Sequence, residues 1–162
     1  MRRGRGLTLI ELSIGLAILA LLAAIAVPAF GERIARARLA GAAETLAADL
    51  AEARFESAQS GRPLYVVFSA GAPWCYAVAR TPGCDCHGAP PCALKVAHAG
   101  DTPGVELVTS ADAAFDPGTG EVSAGGATLR GVGGRQQLQV SMTPLGRARL
   151  CSPSGLKGYP AC

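Results

Sequence analysis

Hydrophobic positions fall into three successive textures along this chain of 162 residues. The first is a run of 19 residues, Leu12 through Phe30, without a single charge. At about 1.5 Å of helical rise per residue such a run covers roughly 29 Å, close to the ~30 Å hydrocarbon thickness of a bilayer. It predicts a membrane-spanning helix over 7–30. The second texture is periodic. Leu39, Ala43, Leu46, Leu50 and Ala53 recur at spacings of four, three, four and three, while Arg36, Glu44 and Glu52 fall off that stripe. This is one apolar face of an amphipathic helix, read as domain core. Ser60-Gly61-Arg62-Pro63 stops it, so the pattern predicts a near-continuous helix from Leu7 to Ser60.

From Leu64 onward the texture turns to short strands. Leu64–Phe68, Cys75–Val78, Ala93–Val96 and Val105–Val108 are strand-like runs, and Gln137–Met142 alternates strictly between apolar and polar. Strict alternation places one face in a core and the other in water. Gly- and Pro-rich links separate the runs, notably Gly71-Ala72-Pro73, Asp116–Gly120 and Gly131–Gly134. The expected architecture is α+β, a long N-terminal helix packed on one antiparallel β domain. The expected boundaries are a leader over 1–6, a membrane or filament-core helix over 7–30, its amphipathic continuation over 31–62, and a β-rich domain over 63–162.

The leader changes how the apolar run is read. Met1–Gly6 is basic and Gly-rich, and Leu7-Thr8-Leu9-Ile10-Glu11 precedes the charge-free segment. A secretory signal has its small-residue cleavage site after the apolar stretch. Here Val27-Pro28-Ala29-Phe30-Gly31 carries no such site, and the peptidase-like junction is Gly6–Leu7. This arrangement resembles the class III signal of type IV pilins and type II secretion pseudopilins, with Leu7 where the family usually has Phe. The resemblance implies cleavage after Gly6 and methylation of the new N-terminus at Leu7 by a prepilin peptidase/methylase. It implies that Glu11 pairs with the N-terminal amine of a neighbouring subunit during assembly, and that other (pseudo)pilins are the chain's partners. Pro28 removes a backbone donor late in the helix and is expected to kink it rather than end it, since periodicity resumes beyond. The leader arginines Arg2, Arg3 and Arg5 orient the chain with its C-terminal domain in the periplasm, anchored once in the inner membrane.

An exported chain with six cysteines is expected to hold disulfides. Cys151 and Cys162 would close a short Pro- and Gly-rich loop. Cys75, Cys84, Cys86 and Cys92 allow three pairings, and spacing does not choose among them. The rival for the middle group is a metal site from Cys84, Cys86, His87 and Cys92, which lacks the paired Cys-x-x-Cys knuckles of structural zinc. Disulfides are the preferred reading, with no metal and no cofactor.

Charge adds one more feature. The chain has 15 Lys+Arg against 12 Asp+Glu, and loss of the three leader arginines would leave it balanced. Yet Val122–Cys162 carries Arg130, Arg135, Arg147, Arg149 and Lys157 and no acid. Such asymmetry is the footprint of a surface that meets phosphates, or else a solvated basic face balanced by acids elsewhere in the fold. Within this segment, Phe115-Asp116-Pro117 through Gly146-Arg147-Ala148-Arg149 resembles the C-terminal half of the GspH/FimT family. In FimT-type minor pilins a Gly-Arg-x-Arg element contacts DNA, which here implies Gly146, Arg147 and Arg149. Lys157 or Arg135 would add further phosphate contacts to non-specific double-stranded DNA.

No Ser-His-Asp grouping, phosphate-cradling loop or nucleotide fingerprint stands in the required strand–helix setting, so the chain reads as non-enzymatic. Three readings remain. The chain is a FimT-like minor pilin touching DNA, a GspH-type pseudopilin of type II secretion with no DNA role, or a single-pass membrane protein with a periplasmic ligand-binding domain. The third leaves Glu11, Pro28 and the leader unexplained together.

Overall fold

The computed structural model describes residues 8–87, 91–119 and 122–162, and at 27–29 the backbone alone. The leader and the Gly6–Leu7 junction lie outside the described residues. One helix, α1, spans Leu9–Ser60, and the chain divides into two units, 1–34 and 35–162.

In the first unit, Thr8 Oγ1 accepts the Glu11 N–H at 3.3 Å, satisfying one of the backbone donors that a helix start leaves unpaired. Glu11 thus stands in the first turn, where the positive end of the helix dipole favours a carboxylate. Ser13 Oγ donates back to the Leu9 carbonyl at 2.7 Å, so this hydroxyl needs no water. Leu12, Ile14, Leu16, Ile18, Leu19, Leu21, Leu22 and Ile25 are all exposed, and none of the apolar window is covered by protein. A helix apolar on every side finds its solvent in lipid or in neighbouring helices. The helix continues through position 28, so Pro28 does not end it.

In the second unit the rest of α1 lies on two antiparallel sheets. The strands are β1 Leu64–Ser69, β2 Cys75–Ala79, β3 Ala93–His98, β4 Val105–Ala111, β5 Ala113–Phe115, β6 Gly126–Gly131, β7 Gln137–Met142 and β8 Ala148–Cys151. One sheet has the order β3-β2-β1-β5 and the other β4-β6-β7-β8. The chain changes sheet at Asp112, whose Oδ1 accepts the Phe68 N–H at 2.9 Å. β4 edges one sheet, and one residue later β5 edges the other. Gly125 and Gly126 make that corner possible. A Cβ on Gly125 would overlap Ala113, and Gly126 has φ +152° with the Val140 carbonyl against its Cα.

Leu39, Ala43, Leu46, Leu50 and Ala53 are all at most 2% exposed, so the apolar stripe is core. They meet Val66, Tyr76 and Val78 from one sheet, Trp74 just before β2, and Leu107, Leu129, Leu138, Val140 and Met142 from the other sheet. Trp74 Nε1 donates to the Val105 carbonyl at 2.7 Å, which ties the two sheets together and satisfies a buried donor. β2 is buried on both faces. Its far face is covered by the segment carrying Cys84 and Cys86, which packs with Val67, Cys75, Ala77 and Ala79 in a second small core.

All six cysteines are paired, as Cys75–Cys86, Cys84–Cys92 and Cys151–Cys162. Cys84 and Cys86 therefore belong to different bridges and present no thiolates to a metal, which removes the basis of the rival metal reading. The first two bridges hold the cover over β2. The third pins the C-terminal segment to β8, where Ser152 N also donates to the Pro160 carbonyl at 2.8 Å.

Candidate functional site

The chemistry-bearing surface is built at the β7–β8 turn. Thr143 closes it twice, donating its N–H to the Arg147 carbonyl at 2.9 Å and accepting the Gly146 N–H at 2.8 Å on its own carbonyl. Its side-chain Oγ1 accepts the Arg147 N–H at 3.1 Å. Gly146 sits at φ +71°, the left-handed conformation that glycine adopts without strain. A second reason for glycine lies in the packing, since a Cβ at 146 would overlap the Arg54 guanidinium. The turn thus seats a helix arginine directly against its backbone.

Arg147 and Arg149 are exposed, while Ala148 and Leu150 between and after them turn inward and pack on the core. Arg147 belongs to the turn and Arg149 to β8, whose first residue is Ala148. With side chains alternating across an extended segment, the two guanidiniums share a face at roughly 7 Å spacing. Neither forms an ion pair among the described residues. Arg54, from α1, brings a third cation to the same place. Beside it runs an open groove floored by Ala47, Ala48, Ala51 and Ala58, with Phe55 on one side and Gly146, Arg147 and Ala148 on the other.

Other residues of the acid-free segment are placed differently. Arg130 is engaged by Glu106, with Nη2 2.7 Å and Nε 3.1 Å from one carboxylate oxygen across the β4–β6 ladder. A segment without acids in sequence is thus not without acids in space. Lys157 lies in the disulfide-closed tail, where its carbonyl accepts a hydrogen bond from Arg36 Nη2. Tyr159 Oη donates to Glu44 at 2.7 Å beside it. Arg36 and Arg54 are 18 positions apart on α1, which at ~1.5 Å per residue separates them by roughly 27 Å. Lys157 is therefore remote from the Arg147 turn. Arg135 is remote as well, following the β6–β7 turn whose Gly131 packs on Leu39.

One charged group among the described residues of this unit is buried, and its type gave no warning in the sequence. Asp49 is 2% exposed and lies at the margin of the apolar stripe. It accepts the Tyr76 hydroxyl at 2.7 Å and the Lys95 ammonium at 2.6 Å, joining α1 to β2 and β3. Burial, and then the hydrogen bond to Asp49, push the Tyr76 hydroxyl well above the usual tyrosine range. The same carboxylate raises Lys95. Elsewhere, Ser69 Oγ and His87 Nε2 stand 3.0 Å apart, but His87 turns Nδ1 toward the disulfide sulfur of Cys75 at 3.6 Å, not toward a carboxylate. That geometry does not orient a catalytic base.

The leader, the exposed apolar helix and the helix-on-sheet unit point to one class of protein, and comparison with known families agrees. The prokaryotic N-terminal methylation motif matches residues 1–27, and the model of the type II transport protein GspH matches residues 42–146. The chain belongs to the GspH family. It is a minor pilin or pseudopilin, anchored in the inner membrane and assembled into a filament with other pseudopilins after processing by prepilin peptidase. Searches of curated proteins and of solved structures returned no match. The GspH match ends at Gly146, so Arg147, β8 and the disulfide-closed tail lie beyond the matched residues.

Proposed function

We propose that this GspH-family subunit contacts double-stranded DNA weakly and without sequence preference, as a FimT-like minor pilin whose second unit faces the periplasm. In this reading the leader is cut after Gly6, Leu7 is methylated, and Glu11 pairs with a neighbouring subunit's N-terminal amine. The observation that carries the DNA role is the exposed pair Arg147 and Arg149, joined by Arg54 at the glycine turn and without an ion-pair partner among the described residues. Guanidiniums roughly 7 Å apart on one extended segment match successive phosphates of a DNA strand, ~3.4 Å of axial rise apart and wider along the backbone. Arg54 replaces Lys157 and Arg135 in the contact set expected from sequence.

The test is a titration of labelled duplex with the full chain in zwitterionic nanodiscs, at two salt concentrations. Three phosphate contacts imply a logarithmic salt slope of about −2.7 and an affinity in the range 10⁻⁴–10⁻⁶ M. Arg147→Gln/Arg149→Gln should bring the slope to about −0.9. Equal binding by the double variant, or none by the parent at low salt, removes the DNA role. The second reading, a type II secretion pseudopilin with no DNA contact, is favoured by the family match itself.

A further inference from the structure

The five cations of the acid-free segment are not one patch. Arg147 and Arg149 lie at the Arg54 end of the globular unit, and Arg135 and Lys157 lie at the Arg36 end. Four segments converge at that second end. Arg36 donates to the Lys157 carbonyl, and Arg38 Nη1 reaches the Pro103 carbonyl at 3.5 Å. Gly104 packs against Val132 at the tip of the β6–β7 turn, and Gly131 of that turn packs on Leu39. Ser154 of the tail accepts the Gln137 N–H at 2.9 Å, which draws the tail up to the start of β7. The result is an end of the unit where Arg38, Arg135, Lys157 and Val132 are exposed and Arg36 is half-buried. Of the acids nearby, Glu106 pairs with Arg130, while Glu44 and Asp101 keep their charge and accept from the Tyr159 hydroxyl and, at 2.8 Å, from the His98 N–H, so four cations face two uncompensated acids there.

We infer that this cationic end binds the anionic bilayer surface from which the chain emerges. Arg36 follows the last residue of the charge-free run, Phe30, by six positions. Whatever path those residues take, they span no more than about 20 Å. Arg36 and Arg38 are thus tethered close enough to reach the headgroups, where anionic lipid attracts basic side chains within about a Debye length. Arg135 and Lys157 are brought to the same end of the globular unit as Arg36 by folding alone. The disulfide between Cys151 and Cys162 holds Lys157 there, and Val132 supplies an apolar contact between the charges. The inference is independent of the DNA reading, which uses the opposite end.

Hydrogen exchange on the full chain in nanodiscs tests it, comparing phosphatidylcholine with discs holding about 30 mol% phosphatidylglycerol. Peptides covering 131–136 and 153–159 should exchange roughly fivefold more slowly in the anionic discs, with the protection lost near 0.5 M salt. The exposed turn after Arg80, on the segment that covers β2, should not change. Arg135→Gln/Lys157→Gln leaves Arg36 to hold the tail and should abolish the difference. Equal exchange in the two lipids, protection retained by the double variant, or the same protection from soluble glycerol phosphate in phosphatidylcholine discs would each overturn the assignment.

Discussion

Replacing Asp49 by alanine should destabilise the globular unit far more than a single charge on an amphipathic helix would suggest. The carboxylate is 2% exposed and accepts two short hydrogen bonds, from Tyr76 at 2.7 Å and Lys95 at 2.6 Å. Its partners fare differently when it is lost. The Lys95 side chain is 49% exposed and regains water, so the ion pair contributes at most about 1 kcal/mol. Tyr76 is 4% exposed, and its hydroxyl would be left buried without an acceptor, at a cost of about 1–3 kcal/mol. Alanine relieves some desolvation of the carboxylate, so the net loss should be about 2–3 kcal/mol. Chemical unfolding of the full chain in detergent, followed by circular dichroism under oxidising conditions, reads this directly. A cycle with Tyr76→Phe isolates the pair. The double variant has no orphaned hydroxyl and should be at least about 1 kcal/mol more stable than the sum of the two single changes predicts. A loss below about 0.5 kcal/mol for Asp49→Ala, or a coupling indistinguishable from zero, would refute the argument.

Alkaline conditions should weaken the same link. The Tyr76 hydroxyl is held above its ordinary value of 10.0, so its contribution is complete below pH 10 and lost as pH rises further, when unfolding releases a proton. Between pH 10 and 11 the parent should lose up to about 1 kcal/mol more than Tyr76→Phe, and parallel pH profiles would count against this. Converting Cys151 and Cys162 together to serine opens a loop with a sequence separation of 11, and chain entropy sets the loss at about 3 kcal/mol. Denaturant midpoints measure it, and an unchanged midpoint would show that burial of Leu156 alone seats the tail. Intact-mass measurement of membrane-extracted protein should give a chain starting at methylated Leu7, with Gly6→Ala or a bulkier residue retaining the leader. Glu11→Ala should leave the unfolding of the globular unit unchanged and abolish incorporation into filaments. Normal incorporation would show that the Glu11 charge pairs with nothing needed for assembly.

Periodicity and local composition determined much of this protein before any folding. The charge-free run, the stripe from Leu39 to Ala53, the Gly61–Pro63 stop and the alternation over Gln137–Met142 are short-range patterns, and short-range backbone geometry decides helix or strand from them. They sufficed for an α+β pilin-like fold, and β1, β2, β3, β4 and β7 arose from the expected runs. β5 and β6 did not announce themselves, because Ala113–Phe115 is short and Gly126–Gly131 begins and ends in glycine. Their strand character comes from pairing with partners distant in sequence, and so does the split into two sheets at Asp112. The arginines show the same division most clearly. A run of five cations without an acid is a fact about sequence, but charge acts through space. Only the tertiary structure joined Arg130 to Glu106, set Arg54 against Gly146 and carried Lys157 to Arg36.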